Sequence, residues 1–160
     1  MLVKARIATV HDVPAAVQLV TEGSAAIAGE RGGRLFLARE GVTLPVEETL
    51  DRYLSDPDSC VAVGTVDEVP SGIALARVES LSGAGTLARL EFLWVDTSFR
   101  ELGVGASLAE LISCWARDGG AHDLDAYALP GNREAKNLLE SAGFSARLIV
   151  MTRRLGPPRD

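Results

Sequence analysis

Apolar and polar positions along the chain change their spacing several times, and each change marks an element. Lys4 to Thr9 alternates and predicts a short strand. Val13, Ala16, Val17 and Val20 then fall on one helical face. Asp12 stands where a helix cap is wanted, and Pro14 is tolerated in a first turn. The stretch from Gly29 to Leu44 has no period: glycines are followed by Leu35, Phe36 and Leu37, and it is expected to be irregular. A second helix is predicted from Pro45, with Val46, Leu50, Tyr53 and Leu54 inward, and Pro57 forbids its continuation.

From Cys60 the period becomes strand-like. Segments 60–66, 72–81 and 86–95 read as three strands, the last two flanking the turn signal Ser82-Gly83-Ala84-Gly85. A polar loop leads to Gly103 and Gly105, and a helix follows from about Val104 to Arg117, with Val104, Leu108, Leu111, Ile112 and Trp115 inward. A strand over 122–129, a short helix capped by Asn132 and stopped by Gly143, and a closing strand from Phe144 to Leu155 complete the prediction. The strand–helix–strand unit from Thr86 to Leu129 must cross over between parallel strands, whereas the preceding meander is antiparallel. The chain therefore predicts one α/β domain over residues 1–160, with a mixed, mostly antiparallel sheet and helices on both faces.

Composition narrows the function. No apolar run is long enough to span a membrane, and the N-terminus lacks the apolar core of a secretory signal. A net charge of −6 argues against a nucleic-acid partner, which would want a basic face. Cys60 and Cys114 are far apart in apolar surroundings and read as reduced thiols, so a cytoplasmic protein is expected. The isolated His11 and His122 make no metal-ligand cluster, and no metal site is expected.

The glycine turn is the candidate for chemistry. Successive backbone N–H groups ahead of a helix form an anion cradle, and the helix dipole adds its positive end. A Walker-type loop fails, because Ala106 rather than Lys follows Gly105. A dinucleotide fingerprint is opposed by Leu108 at the third glycine position and by the loop between strand and glycines. A pyrophosphate suits the cradle, with Arg100 adding charge or standing free in solvent.

Arg100-Glu101-Leu102-Gly103-Val104-Gly105 matches the Gln/Arg-x-x-Gly-x-Gly/Ala signature at a helix start. Leu93-Trp94-Val95-Asp96 matches a Leu-x-Val leader, with Thr97 where proline is common. Asn132 to Phe144, NREAKNLLESAGF, matches a second motif downstream. On these residues and on its element order, nearly the whole chain resembles the GNAT superfamily of acyl-CoA-dependent N-acetyltransferases. The resemblance implies a parallel strand pair splayed at the centre of the sheet and acetyl-CoA as cosubstrate. It implies that the turn from Arg100 to Ala106 holds the pyrophosphate and that pantetheine pairs with backbone near Leu93, Trp94 and Val95. It also implies that Asn132 contacts the cofactor and that the Val95 N–H faces the thioester oxygen.

Acyl transfer to an amine needs a neutral nitrogen, and Glu91 is the candidate base, often working through water. On strand parity it is expected to share a face with Leu93 and Val95, and its other reading is a structural ion pair with Arg77 or Arg89. The family commonly has a tyrosine acid after the leucine of the second motif, but here the pair is Leu138-Leu139. Ser141, Asn137 and Tyr127 are the nearby substitutes. The expected partner is an amine-bearing small molecule or peptide, handled by a monomer or homodimer, with the acceptor pocket near Leu35, Phe36 and Leu37. An acyl-CoA-binding sensor with little turnover is the alternative.

Overall fold

The computed structural model describes residues 1–42 and 45–158. Thr43 and Leu44, the end of the stretch expected to be irregular, lie outside the described residues. The strands are β1 (Val3–Ile7), β2 (Ser59–Val66), β3 (Val69–Leu81), β4 (Gly85–Val95) and β5 (Asp123–Ala126). The helices are α1 (Val13–Ala28), α2 (Gly33–Arg39), α3 (Val46–Ser55), α4 (Val104–Asp118) and α5 (Arg133–Ser141). They build one mixed sheet in the order β1-β2-β3-β4-β5, antiparallel except for the β4–β5 pair.

Residue size alternates along the central strands and sets the depth of each layer. Val61, Val63, Ile73, Leu75 and Phe92 face α1 and α3, where they pack with Leu19, Val20, Leu50 and Tyr53. Cys60, Ala62, Ala74 and Ala76 face α4, where they meet Val104, Leu108 and Ile112. The small side chains let α4 lie close to the sheet. The approach is tightest at its N-terminal end, where a Cβ on Gly64 would stand 2.5 Å from Val104 Cγ1. The start of α4 is thereby fixed against β2 and β3.

Four elements depart from the sequence prediction. Gly33–Arg39 is a helix rather than irregular chain, because Leu35 and Phe36 supply one short turn of apolar residues with no longer period to read. Asp12 does not cap α1 with its side chain. It instead accepts the Thr9 N–H at 2.8 Å and both Arg6 terminal nitrogens at 2.7 and 2.8 Å. The Arg6 fork, before other causes, holds its carboxyl down at about 2. β5 covers only half of the predicted stretch, since pairing with β4 stops at Ala126. The closing strand predicted from Phe144 joins no ladder among the described residues, so β5 is the last strand of the sheet. No helix among the described residues is long and apolar enough to cross a membrane.

Candidate active site

The site begins with a register slip in β4. Leu75 faces Phe92 and Ala76 faces Leu90, which leaves Glu91 with no partner on β3. This extra residue is a β-bulge, and it reverses side-chain parity beyond it. Glu91 and Phe92 both turn toward α1 and α3, while Leu93 and Val95 turn toward α4. The parity that put Glu91 on one face with Leu93 and Val95 assumed an unbroken period of two, and the bulge overturns it.

The parallel pairing of β4 with β5 ends at the same place, at Leu90 and Ala126. Beyond it the two strands separate around a cleft of about 350 Å³, lined on one side by Glu91 to Val95 and on the other by Ala126 to Leu129. The Asp96 N–H donates to the Ser71 carbonyl at 2.8 Å, making these two a hydrogen-bonded pair. Alternation along an antiparallel ladder then turns the N–H and C=O of Val95, and of Leu93 before it, away from β3 and toward the gap. That edge is main chain that has lost its β5 partner, and of these groups the Val95 carbonyl accepts instead from Arg100 Nε.

The far end of the cleft is the glycine turn. Gly103 is the N-cap of α4 at φ 94°, and no side chain caps the helix. Glu101 also holds a positive φ of 65°, a conformation that costs on the order of 1 kcal/mol and signals a backbone shaped for a purpose. The first N–H groups of α4, from Val104 to Ala106, are thus left to a ligand or solvent, at the positive end of the helix dipole. Gly105 has a different reason to be glycine. A Cβ there would stand 2.8 Å from Leu138 Cδ2, so the residue makes room for α5.

Most of the predicted site residues line this cleft: Glu91, Leu93, Trp94, Val95, Arg100, Glu101, Gly103, Val104, Gly105, Ala106 and Asn132. Leu102 does not line it, and its side chain packs into the core beneath α4. Arg100 is not a free loop residue. Its Nε donates to the Val95 carbonyl at 3.2 Å, its Nη1 pairs with Glu134 at 2.9 Å, and its guanidinium lies 4.7 Å over the Trp94 ring. It ties the end of β4 to α5. Asn132 caps α5 by accepting from the Ala135 N–H at 2.9 Å, while its Nδ2 donates to Glu30, just after α1, at 3.2 Å.

The near end is a charged cluster around Glu91. Its Oε1 accepts from the Tyr53 hydroxyl at 3.1 Å and lies 3.3 Å from Arg77 Nε. Its Oε2 lies 3.4 Å from Arg89 Nη2. Burial, then the Glu91 charge, pushes the Tyr53 hydroxyl up to about 12, so it stays a donor at neutral pH. The structural ion pair weighed for Glu91 therefore exists with both arginines, and the carboxylate also faces the cleft. Glu91 borders a second, polar hollow under α3 as well, with Arg39, Glu40 and Asp56 around it.

Of the three substitutes for the missing tyrosine, Tyr127 alone lines the cleft, beside the buried Leu139 and packed on Phe36 with ring centres 5.5 Å apart. Asn137 and Ser141 are exposed and lie outside it. Sequence reasoning missed Tyr53 as a partner of Glu91. It read the residue by its helical spacing as core, which is right for the ring and silent about the hydroxyl. Glu30 and Glu134 were missed too, because only the fold brings them to Asn132 and Arg100. Leu35 is exposed, and of the three apolar residues expected at the acceptor pocket only Phe36 reaches the cleft.

Comparisons with known proteins agree with this architecture. The model of the acetyltransferase (GNAT) family matches residues 34–144. No curated protein matches the chain. Among solved structures, a tetramutant of the BH1408 protein from Bacillus halodurans superposes with a TM-score of 0.77 at 22% identity, covering 97% of this chain and 100% of that one. A ribosomal-protein-alanine N-acetyltransferase from Brucella melitensis biovar Abortus 2308 gives 0.70 at 15% identity, over 97% and 100%. The aminoglycoside N-acetyltransferase AAC(6')-Iy in complex with CoA gives 0.74 at 17% identity, over 96% and 95%. At these identities the likeness is one of fold.

Proposed function

Because the chain belongs to the acetyltransferase (GNAT) family, we propose that it is an acetyl-CoA-dependent N-acetyltransferase. In this reading the acetyl group passes to a primary amine by direct attack while both substrates are bound. One observation carries the reading: a single cleft joins an uncapped helix N-terminus, a freed strand edge and a buried carboxylate. Acetyl-CoA brings the activated acyl group as a thioester. The N–H groups around Gly103 to Ala106 suit its pyrophosphate, and the Leu93 and Val95 main chain suits the amides of its pantetheine arm. Asn132 borders the same stretch. The Val95 N–H faces the gap and is the donor available to an oxyanion. Glu91 takes the surplus proton of the incoming amine, directly or through water.

The acceptor class is an amine on a small molecule or peptide, and both kinds occur among the acetyltransferases that share the fold. The cysteines Cys60 and Cys114 are both free, which agrees with a reducing, cytoplasmic setting. The test is acetyl-CoA binding by calorimetry, followed by release of free CoA thiol against a panel of amines. Binding with turnover on at least one amine is expected. Leu139 in the cleft, where the resemblance would place a tyrosine, favours a second reading as an acyl-CoA sensor. Tight binding without turnover on any amine selects that reading, and no binding rejects both.

A further inference from the structure

Acyl transfer from a thioester leaves negative charge on sulfur, and the cleft described above has a base but no acid assigned to that charge. Leu139 cannot donate a proton. The cleft also carries the apolar side chains of Phe36, Leu90, Phe92 and Leu139, among which an unsolvated thiolate is costly. The donor has to hold its proton at neutral pH and still be able to give it up. Carboxylic acids have ordinarily lost theirs by then, and a guanidinium does not release one. Among the described residues that line the cleft, Tyr127 alone carries a hydroxyl.

Its place in the sheet fits the task. β4 and β5 stay paired as far as Leu90 and Ala126. The next residues on the two strands are Glu91 and Tyr127, so these two are the first to stand across the opening. Phe36 of α2 holds the Tyr127 ring, with centres 5.5 Å apart and planes at 59°. At 37% exposure the residue also reaches water, which can restore a lost proton. Arg89 stands between the two sides, with Nη2 3.4 Å from Glu91 Oε2. Burial disfavours the Arg89 charge, and Tyr127, then Glu91 and Glu79, favour it by more. Resting on the reading of the cleft as an acetyltransferase site, we infer that Tyr127 is the acid that protonates the departing CoA sulfur. The amine nitrogen bonds the acyl carbon and gives a proton to Glu91. The C–S bond breaks with its electron pair on sulfur, and the Tyr127 hydroxyl proton goes to that sulfur. Water then takes the proton from Glu91 and returns one to the phenolate, so the enzyme ends as it began.

The test is steady-state kinetics on the full chain with an amine that the parent acetylates. Tyr127→Phe keeps the ring and its packing on Phe36, and is expected to lower kcat by about 10²-fold. The KM of the amine and the calorimetric affinity for acetyl-CoA are expected to stay as in the parent. The alkaline fall of kcat, where the acid has lost its proton, should disappear in the variant. A 3-fluorotyrosine placed at Tyr127 keeps the hydroxyl but makes it more acidic, and is expected to move that fall to lower pH. Parent-like kcat in Tyr127→Phe overturns the inference. So does a loss that appears in the KM of the amine instead of kcat, since the hydroxyl then binds the acceptor. So does an alkaline limb that the fluorinated ring leaves in place. These three results leave the acetyltransferase reading standing, whereas a parent without turnover on any amine overturns both together.

Discussion

The two ends of the cleft are made of different material. At the α4 end the groups offered to a ligand are main chain: the N–H groups past Gly103 and the freed edge at Leu93 and Val95. At the Glu91 end they are side chains already engaged with one another, Tyr53, Arg77 and Arg89 closing on one carboxylate. A main-chain site takes whatever has the shape and charge of its anion and tolerates side-chain change. A side-chain site is tuned residue by residue, and one substitution leaves charged neighbours without a partner.

The sharpest way to break this contrast is at Glu91. Glu91→Gln is expected to cut turnover by about 10²-fold, with acetyl-CoA affinity unchanged by calorimetry. The loss should grow at lower pH, where more of the amine is protonated. Equal turnover in parent and variant on a true acceptor would make the cluster purely structural and erase the difference between the ends.

A smaller effect is expected at the other end, with affinity as the readout. A Cβ on Gly103 meets nothing within 4 Å, so Gly103→Ala acts through its φ of 94° alone. That strain of about 1–2 kcal/mol is expected to weaken acetyl-CoA binding about tenfold. Gly105→Ala is expected to act through Leu138 instead, and Leu138→Ala in the same chain should relieve it. If Gly105→Ala weakens binding just as much with Leu138 truncated, the ligand rather than α5 requires that glycine.

Tyr53→Phe sharpens the contrast by stability. Losing the hydrogen bond to Glu91 is expected to cost about 1 kcal/mol in denaturant melts. The pH dependence carries its own signature. The native hydroxyl ionises near 12 and an unfolded tyrosine near 10, so the parent's benefit is complete below pH 10 and is lost as pH rises toward 12. The variant should lack that decline. The smallest effects are expected outside the cleft: Ser141→Ala and Asn137→Ala, both exposed, should leave turnover unchanged in steady-state kinetics.

The same contrast explains what could be read from the chain. The α4 turn was legible because a main-chain site writes itself into sequence as glycine spacing before an apolar helical stripe. The strands β2 to β4 were legible because their period of two is uninterrupted over most of their length. The face that Glu91 takes was not, because a bulge inserts one residue without any compositional mark, and every side chain beyond it changes face. Arg77 and Arg89 could be named as its ion-pair partners from the sequence, whereas Tyr53 comes from a distant helix and meets it only in the folded chain. The segment after Phe144 reads as a strand for sound reasons of composition, but a strand needs a neighbour, and none of the described residues pairs with it.

The chain has two tryptophans, and the fold separates them. Trp94 lines the cleft beneath the Arg100 guanidinium, whereas Trp115 packs against the core under α4, away from it. The molecule therefore carries its own optical reporter. Whatever enters the cleft changes the polarity and the cation beside one indole and leaves the other dark to the event, so a Trp115→Phe chain would display ligand occupancy as a single-probe emission change without any added label.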